Sequence, residues 1–294
     1  MKQVLTILLA SIFFTVFGQK NQTIELKWKI AENEKLNYLT VMDETDVSSF
    51  KMDFGKLFKS FSDSTDEDFE KIDFYSDKIN EAINSQYFVT TLTNKDNGVI
   101  DIVMTKKTKE SIKETDIDTT DSEEVELAKM MQKGTIVLRG SVYETGGIHS
   151  FWVKSDQKNL IAVLFELPTK PVKVGDKWSL DISLIANAQN FECDTAYKIN
   201  EVTLVEIKEI NGETIAVLNY NIAEYVNGIF TFFGSDSEQK ETMMKVIHQG
   251  VAEFSVDKGR WVTYNATMSI KTTGVMTTDK QTKFALIDEK NASR

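Results

Sequence analysis

The sequence contains very little cysteine, proline and histidine. Its 294 residues include one cysteine, two prolines and two histidines. A single cysteine, Cys193, excludes a disulfide within the chain. The acidic neighbours Glu192 and Asp194 oppose formation of a reactive thiolate, so we predict that Cys193 is a small buried side chain. The net charge is −11, and no basic stripe is present, which argues against nucleic acid as a partner.

The sequence also lacks the motifs of common catalytic and metal sites. Neither His149 nor His248 has a second ligand at the spacing that zinc sites use. The acidic run at 63–73 lacks the glycine and the final glutamate of a calcium loop, and we interpret it as a solvated helix start. We therefore predict no catalytic residue, no metal site and no cofactor. A hydrolase that uses dispersed carboxylates stays the least favoured alternative, because acidic residues are abundant.

The first 18 residues have the layout of a secretory signal peptide. An apolar run extends from Val4 to Phe17 and is followed by Gly18, so we predict cleavage between Gly18 and Gln19. The run is shorter than the roughly 20 residues that span a bilayer. No cysteine stands at the junction, which argues against a lipid anchor. We predict export to the periplasm or the cell surface, with no transmembrane segment after signal removal.

Most of the remaining sequence alternates between apolar and polar residues. The segment 23–30, TIELKWKI, places four apolar side chains on one face, as a half-buried strand does. Two strand pairs surround Asn97-Gly98 and Asn211-Gly212, and Asn-Gly is a strong hairpin signal. Helical spacing of apolar residues occurs within 53–83, where we predict a helical insertion.

Two segments resemble each other and suggest an internal duplication. The segments 121–134 and 236–250 both begin with Asp-Ser-Glu and end with glycine, so we predict a helix in each. The predicted parts are a first β half at 19–164, a second at 165–276 and a loose tail or edge strand at 277–294. The predicted fold is mainly antiparallel β, with two related halves and short helices packed on curved sheets. A half-open barrel, similar in outline to periplasmic lipoprotein carriers, is one arrangement that fits.

Both prolines lie close together near the middle of the chain. Pro168 and Pro171 flank Thr169-Lys170. Proline removes a ladder donor, so it belongs at strand starts and connections. We interpret 167–171 as the crossover between the two halves. Gly175 then lies in a bend and Trp178 in the core of the second half.

The segment LPTKPVKVGDKW at 167–178 resembles a signature of a family of bacterial cell-envelope proteins of unestablished function. The signature is L-P-x-K-P-V-x-V-G-D-x-W, and the opening LKWKIAENEKLNY and the closing GVAEFSVDKGRWVTYNATMSIKTTG are also similar to that family. The resemblance implies export, and it carries no activity, cofactor or catalytic residue.

One apolar segment is the candidate ligand contact. Residues 227–234, NGIFTFFG, contain Ile229, Phe230, Phe232 and Phe233 between two glycines. They form either a core strand or the apolar lip of a pocket. We predict a non-catalytic envelope protein that binds an apolar small molecule or lipid. The alternative is a structural or protein-interaction module of the envelope.

Overall fold

A computed structural model describes residues 22–47, 87–106, 136–152, 155–185, 191–231, 239–275 and 277–292. The predicted signal peptide, the helical insertion at 53–83 and the helix at 121–134 lie outside these residues. The elements before the proline pair are β1 (Thr23–Ile24), β2 (Lys35–Val47), β3 (Tyr87–Lys95), β4 (Val99–Lys106), β5 (Ile136–Tyr143), β6 (Ile148–Phe151) and α1 (Ser155–Phe165). Those after it are β7 (Val172–Lys173), β8 (Lys177–Trp178), β9 (Phe191–Ile210), β10 (Glu213–Thr231), β11 (Gln239–Ser255), β12 (Arg260–Thr273), β13 (Thr278–Asp288) and α2 (Glu289–Ala292).

Most of the described strands form one large antiparallel sheet. Its eleven strands have the order β6-β5-β4-β3-β2-β13-β12-β11-β10-β9-β8. This order consists of two meanders, β2 to β6 and β8 to β13, joined where β2 pairs with β13. Within the part of the chain that is described, the sheet ends at β6 and β8 and is not closed. The mainly antiparallel β prediction is confirmed, whereas the internal duplication stays a prediction.

Both predicted Asn-Gly hairpins are confirmed. A 3₁₀ turn at Asp96–Gly98 joins β3 to β4, and Asn97 and Gly98 have φ values of 68° and 69°. Asn211 and Gly212 join β9 to β10, with φ values of 53° and 78°. These positive φ angles are the conformation that asparagine and glycine tolerate best, so the local sequence determines both turns.

The helix predicted for 236–250 is wrong. Its described part lies in β11, which pairs with β10 on one side and β12 on the other. The alternate residues from Thr242 to Phe254 point to one face of the sheet. The adjacent methionines Met243 and Met244, which suggested helical spacing, therefore lie on opposite faces. The backbone hydrogen bonds that β11 makes with both neighbouring strands outweigh the preference of this segment for a helix.

The C-terminal segment is also different from its prediction. Residues 278–288 form β13, which is an interior strand between β12 and β2 rather than a loose tail or an edge strand. Phe284 and Leu286 are buried. The residues before Phe284 on the same face are polar, which hides the alternation that would have indicated a strand.

The N-terminal segment confirms the predicted face but only part of the predicted strand. Ile24, Leu26, Trp28 and Ile30 are all buried. Only Thr23–Ile24 forms a β ladder, with β7. The rest of the segment is attached by individual backbone bonds, including Trp28 N to Glu144 O at 2.8 Å and Lys29 N to Gly259 O at 3.0 Å.

Helix α1 is not predicted from the sequence. Its C-terminal half, Ile161–Phe165, is at most 1% exposed. A short apolar run of this kind fits a buried strand as well as a buried helix, and periodicity does not separate the two. We call the face of the sheet that packs against α1 and residues 24–30 the inner face.

Aromatic side chains cap the C-terminal end of α1. The last carbonyls of a helix have no partner within the helix. Here Val163 O accepts from Tyr264 Oη at 2.8 Å, Leu164 O accepts from Trp261 Nε1 at 2.8 Å, and Phe165 O accepts from Trp28 Nε1 at 3.0 Å. The three donors belong to one aromatic cluster, in which the rings of Trp28 and Trp261 lie 5.8 Å apart. The cluster therefore fixes α1 on the sheet by packing and by directed hydrogen bonds.

The proline pair lies between α1 and β7, outside the strands. Pro168 is buried and Pro171 is exposed. Gly175 follows with a φ of 94°, as the predicted bend requires.

Trp178 is half-buried and packs against the edge of the core rather than lying within it, because its strand β8 has only two residues at the end of the sheet. One core cluster includes Leu36 and Leu218, so the chain on both sides of the prolines shares a single core.

The prediction that Cys193 is buried is wrong. Its thiol is free and exposed, and Sγ lies 3.5 Å from Thr195 O. Cys193 is opposite Gly228 next to a register shift near the start of β9. The partner strand β8 covers only Val202 and Thr203 of β9, so this end of β9 lies at the margin of the sheet.

Candidate functional site on the inner face of the sheet

The inner face continues beyond α1 as a set of apolar side chains on four neighbouring strands. We call this set the apolar patch, and its members are Phe191, Val226, Met244, Val246, Met268 and Ile270. The strand register brings them together, because Val226 is opposite Met244 and Val246 is opposite Ile270. They belong to a second hydrophobic cluster, whose buried residues differ from those of the main core and which meets that core at Met268.

The apolar patch is only partly covered. Val226 and Val246 are buried, whereas the other four members are half-buried. The described residues outside the sheet that join this cluster are Leu184 and Ile185. Two of the half-buried members, Met244 and Met268, are methionines, and their flexible thioether side chains adapt to ligands of varied shape. An apolar surface of this kind, next to a core and incompletely covered, is typical of a ligand site.

Residues 179–185, which we call the strap, lie over the margin of the inner face without forming a strand. Two asparagine side chains bind its backbone as a neighbouring strand would. Asn200 accepts from Leu180 N at 3.0 Å and donates to Leu180 O at 2.7 Å. Asn159 of α1 does the same at Ser183, with distances of 3.0 Å and 2.6 Å. The strap is thus attached to α1 and to β9 by side chains.

An ion pair attaches the end of the strap next to the apolar patch. Glu224 on β10 is buried and accepts from Ile185 N at 2.8 Å. Its other oxygen lies 2.7 Å from Lys198 Nζ, which also donates to Ile182 O at 2.7 Å. A buried carboxylate needs such pairing to offset the loss of water. The ion pair therefore places charge at the boundary between the strap and the patch.

A second carboxylate holds the strap near α1. Glu166 accepts from Asp181 N at 2.9 Å, and Asp181 is itself 2.6 Å from Lys158 Nζ. Burial raises the pKa of Glu166 to about 7, and the charge of Asp181 adds to this rise. The Asp181 amide and Lys158 act in the opposite direction. Glu166 consequently changes its charge near neutral pH while it is bound to the strap.

Replacement of Glu166 by glutamine should remove a pH dependence of stability. Because the pKa of Glu166 is raised on folding, its contribution is complete below the unfolded value of about 4.5 and is lost as the pH rises through about 7. We expect the unfolding free energy of the unmodified protein to fall by about 1–2 kcal/mol over this range, after allowance for solvent screening. Urea unfolding between pH 5 and 8 measures the slope. Glu166→Gln should flatten it, and the exposed control Glu206→Gln should not. An unchanged slope in Glu166→Gln would refute this assignment.

His248 lies on the inner face beside the apolar patch and is fully buried. Its Nε2 is 3.1 Å from Tyr264 Oη, and that hydroxyl donates its proton to Val163 O of α1. Nε2 therefore carries the ring proton and donates to Tyr264. Burial lowers the pKa of His248 to about 4, so the ring is neutral at pH 7. The remaining nitrogen, Nδ1, is buried and has no hydrogen-bond partner among the described residues.

The structure places two of the four candidate contact residues, Ile229 and Phe230, at the end of β10 near the patch. Phe230 faces the inner side opposite Phe191, whereas Ile229 faces the outer side, and both are half-buried. Phe232 and Phe233 lie outside the described residues. The apolar patch itself was not predicted. The alternation Thr242, Met244, Val246 would have indicated it had β11 been assigned as a strand.

The other histidine has structural contacts at the end of the sheet. His149 Nδ1 is 2.9 Å from Ser141 Oγ, which in turn lies 2.6 Å from Ser150 Oγ. Ser141 is a buried residue of β5, and His149 and Ser150 belong to β6, so these bonds connect the two strands. Among the residues that the structure describes, no cluster of histidine, cysteine and acidic side chains has the arrangement of a metal site. No helix in the described ranges is long and apolar enough to span a membrane.

Comparisons of the chain with protein-family models, with curated proteins and with solved structures give no match. The resemblance to a family of envelope proteins stays a prediction. The candidate function therefore depends on the geometry of the inner face.

Proposed function

We propose that the protein is a non-catalytic, exported protein of the cell envelope that binds an apolar small molecule or lipid chain against the apolar patch. The observation that carries this proposal is the continuation of the inner face beyond α1 as half-buried methionine, isoleucine and phenylalanine side chains. A stable protein gains from burying such surface. The apolar patch instead stays partly exposed beside a buried core, and this exposed apolar surface is what an apolar ligand would cover.

The dimensions of the patch fit an extended chain. Residues on one face of a strand recur about every 6.8 Å, so the inner-face positions of β11 from His248 to Thr242 cover about 20 Å. The hydrocarbon core of a bilayer is about 30 Å thick, so one acyl chain spans about 15 Å. The patch thus has enough length for one acyl chain. A half-open barrel, in which β6 and β8 as the two ends of the described sheet leave access to the inner face, is the arrangement we propose for entry.

A charge placed in the patch should reduce binding. We expect Met244→Lys to weaken the binding of a fluorescent apolar probe by at least about tenfold, because a bound chain would have to displace water from the ammonium group. Met244 is half-buried, so the lysine can extend towards solvent and the fold should survive. Titration of the purified full chain with the uncharged probe N-phenyl-1-naphthylamine gives the dissociation constant.

Val251→Lys is the matched control for this experiment. Val251 lies on the same strand, on the opposite face, and is 48% exposed, so the same charge should leave probe binding unchanged. Equal effects of both lysines would argue against a site on the inner face. If the unmodified protein does not bind the probe, the proposed function is wrong.

The alternative is an interaction module of the envelope, and one observation favours it. At the end of the sheet, β6 and the residue after it expose Phe151 by 45% and Trp152 by 57%, with Arg139 6.0 Å from the indole ring. Exposed aromatic side chains next to arginine are common in protein interfaces. Two results together would support this second function. The protein would bind no apolar probe, and it would sediment as an assembly that the substitution Trp152→Ala dissociates.

A further inference from the structure

The unpartnered nitrogen of His248 is the strongest signal for ligand chemistry in the described residues. Buried polar groups are almost always hydrogen-bonded, and each exception calls for an explanation. His248 is fully buried, and Nδ1 has no partner within the described ranges although Nε2 has one. Leaving a buried acceptor unpaired is unfavourable. A group that donates to Nδ1 would remove this cost.

The position of Nδ1 relates it to the apolar patch. Nε2 bonds Tyr264, which bonds α1, so this nitrogen faces the helix. The two nitrogens of an imidazole point to different sides of the ring, so Nδ1 faces away from that contact. Across the ladder, His248 is opposite Met268, and Val246 is the next inner-face residue along β11. Both of these residues belong to the patch.

We propose that His248 Nδ1 accepts a hydrogen bond from the ligand, which is therefore a long-chain molecule with a neutral donor such as a hydroxyl group. This inference rests on the proposed function, because it specifies the ligand of the same site. A hydrocarbon leaves Nδ1 unpaired. A fatty acid ionised at pH 7 presents only acceptors, so its carboxylate cannot bond a bare imidazole nitrogen. The site should thus prefer an alcohol to both.

Competition between matched ligands tests this preference. Dodecanol, dodecyl methyl ether and dodecanoate have similar apolar chains, and only the alcohol has a donor at pH 7. We expect dodecanol to displace the fluorescent probe from the full-length protein at about 10- to 100-fold lower concentration than the ether, the range expected for pairing a buried acceptor. His248→Phe should bring this ratio close to one. His248→Gln, which retains an acceptor and a donor, should keep a preference for the alcohol.

The outcomes separate the two proposals. If none of the three ligands displaces the probe, the proposed function fails. If the alcohol and the ether displace the probe from the unmodified protein equally well, the ligand does not donate a hydrogen bond to Nδ1. The inference then fails, whereas the proposal of apolar binding stands. Should His248→Phe not fold, ¹⁵N NMR of the unmodified protein gives the same answer. The Nδ1 resonance should shift towards the hydrogen-bonded value with dodecanol and not with the ether, and an equal response to both would overturn the inference.

Discussion

Replacement of Trp261 by alanine is expected to lower the unfolding free energy by about 4 kcal/mol or more. Trp261 is 1% exposed, and its ring lies 5.1 Å from Phe254 and 5.7 Å from Tyr264. Truncation of a buried tryptophan costs about 3–5 kcal/mol. It also removes the donor to Leu164 O and leaves a buried carbonyl of α1 unpaired, which adds to the loss.

Urea unfolding followed by circular dichroism measures this effect. Trp152→Ala is the matched control, because Trp152 is 57% exposed and its removal should change the unfolding free energy by no more than about 0.5 kcal/mol. Trp261→Phe separates the two contributions, since it keeps most of the ring volume and removes Nε1. A loss for Trp261→Ala as small as that for Trp152→Ala would show that the aromatic cluster does not hold α1 on the sheet.

Replacement of Gly259 by alanine should have the second large effect, about 3 kcal/mol or more. Gly259 is in the turn between β11 and β12 and has a φ of 60°, which costs a residue with a side chain about 1–2 kcal/mol. A Cβ at this position would lie 2.4 Å from Lys29 N and 2.5 Å from Lys27 O. These are backbone atoms, so the turn and the N-terminal segment would have to separate. Trp28, between those two lysines, would lose part of its packing.

Gly212→Ala isolates the contribution of this close contact. Gly212 is also in a hairpin turn, with a φ of 78°, and a Cβ there meets nothing within 4 Å. It should therefore lose only the conformational cost of a positive φ, about 1–2 kcal/mol. The difference between the two variants in thermal or urea unfolding measures the attachment of residues 27–29 to the sheet. Equal losses would mean that this attachment contributes little to stability.

The parts of the fold that the sequence predicts are those determined by local conformation. Asn97-Gly98 and Asn211-Gly212 adopt the positive φ angles that these residue types favour, and both hairpins follow. The buried face of residues 24–30 follows from alternation alone. Helix α1 and strand β11 were not predicted because each contains adjacent apolar residues compatible with either structure. Their state depends on partners far away in the sequence, such as β12 for β11.

The candidate site was less predictable than the fold for a related reason. Ile229 and Phe230 are neighbours in the sequence, and the strand places them on opposite faces. Val226, Val246 and Ile270 are far apart in the sequence, and only the register of three strands makes them adjacent. Which nitrogen of His248 stays unpaired depends on the positions of Tyr264 and α1, and no local sequence pattern predicts these positions.

The pairing of β2 with β13 has a consequence for the order of events in folding. Leu39 pairs with Ile287, so the two meanders cannot join until residues 278–288 have been synthesised. Contacts between such distant residues carry a large loop-closure cost and slow folding. Until then β2 has one unpaired edge, along which another copy could add. This edge of β2 therefore has to be kept apart from other chains until residues 278–288 have been synthesised.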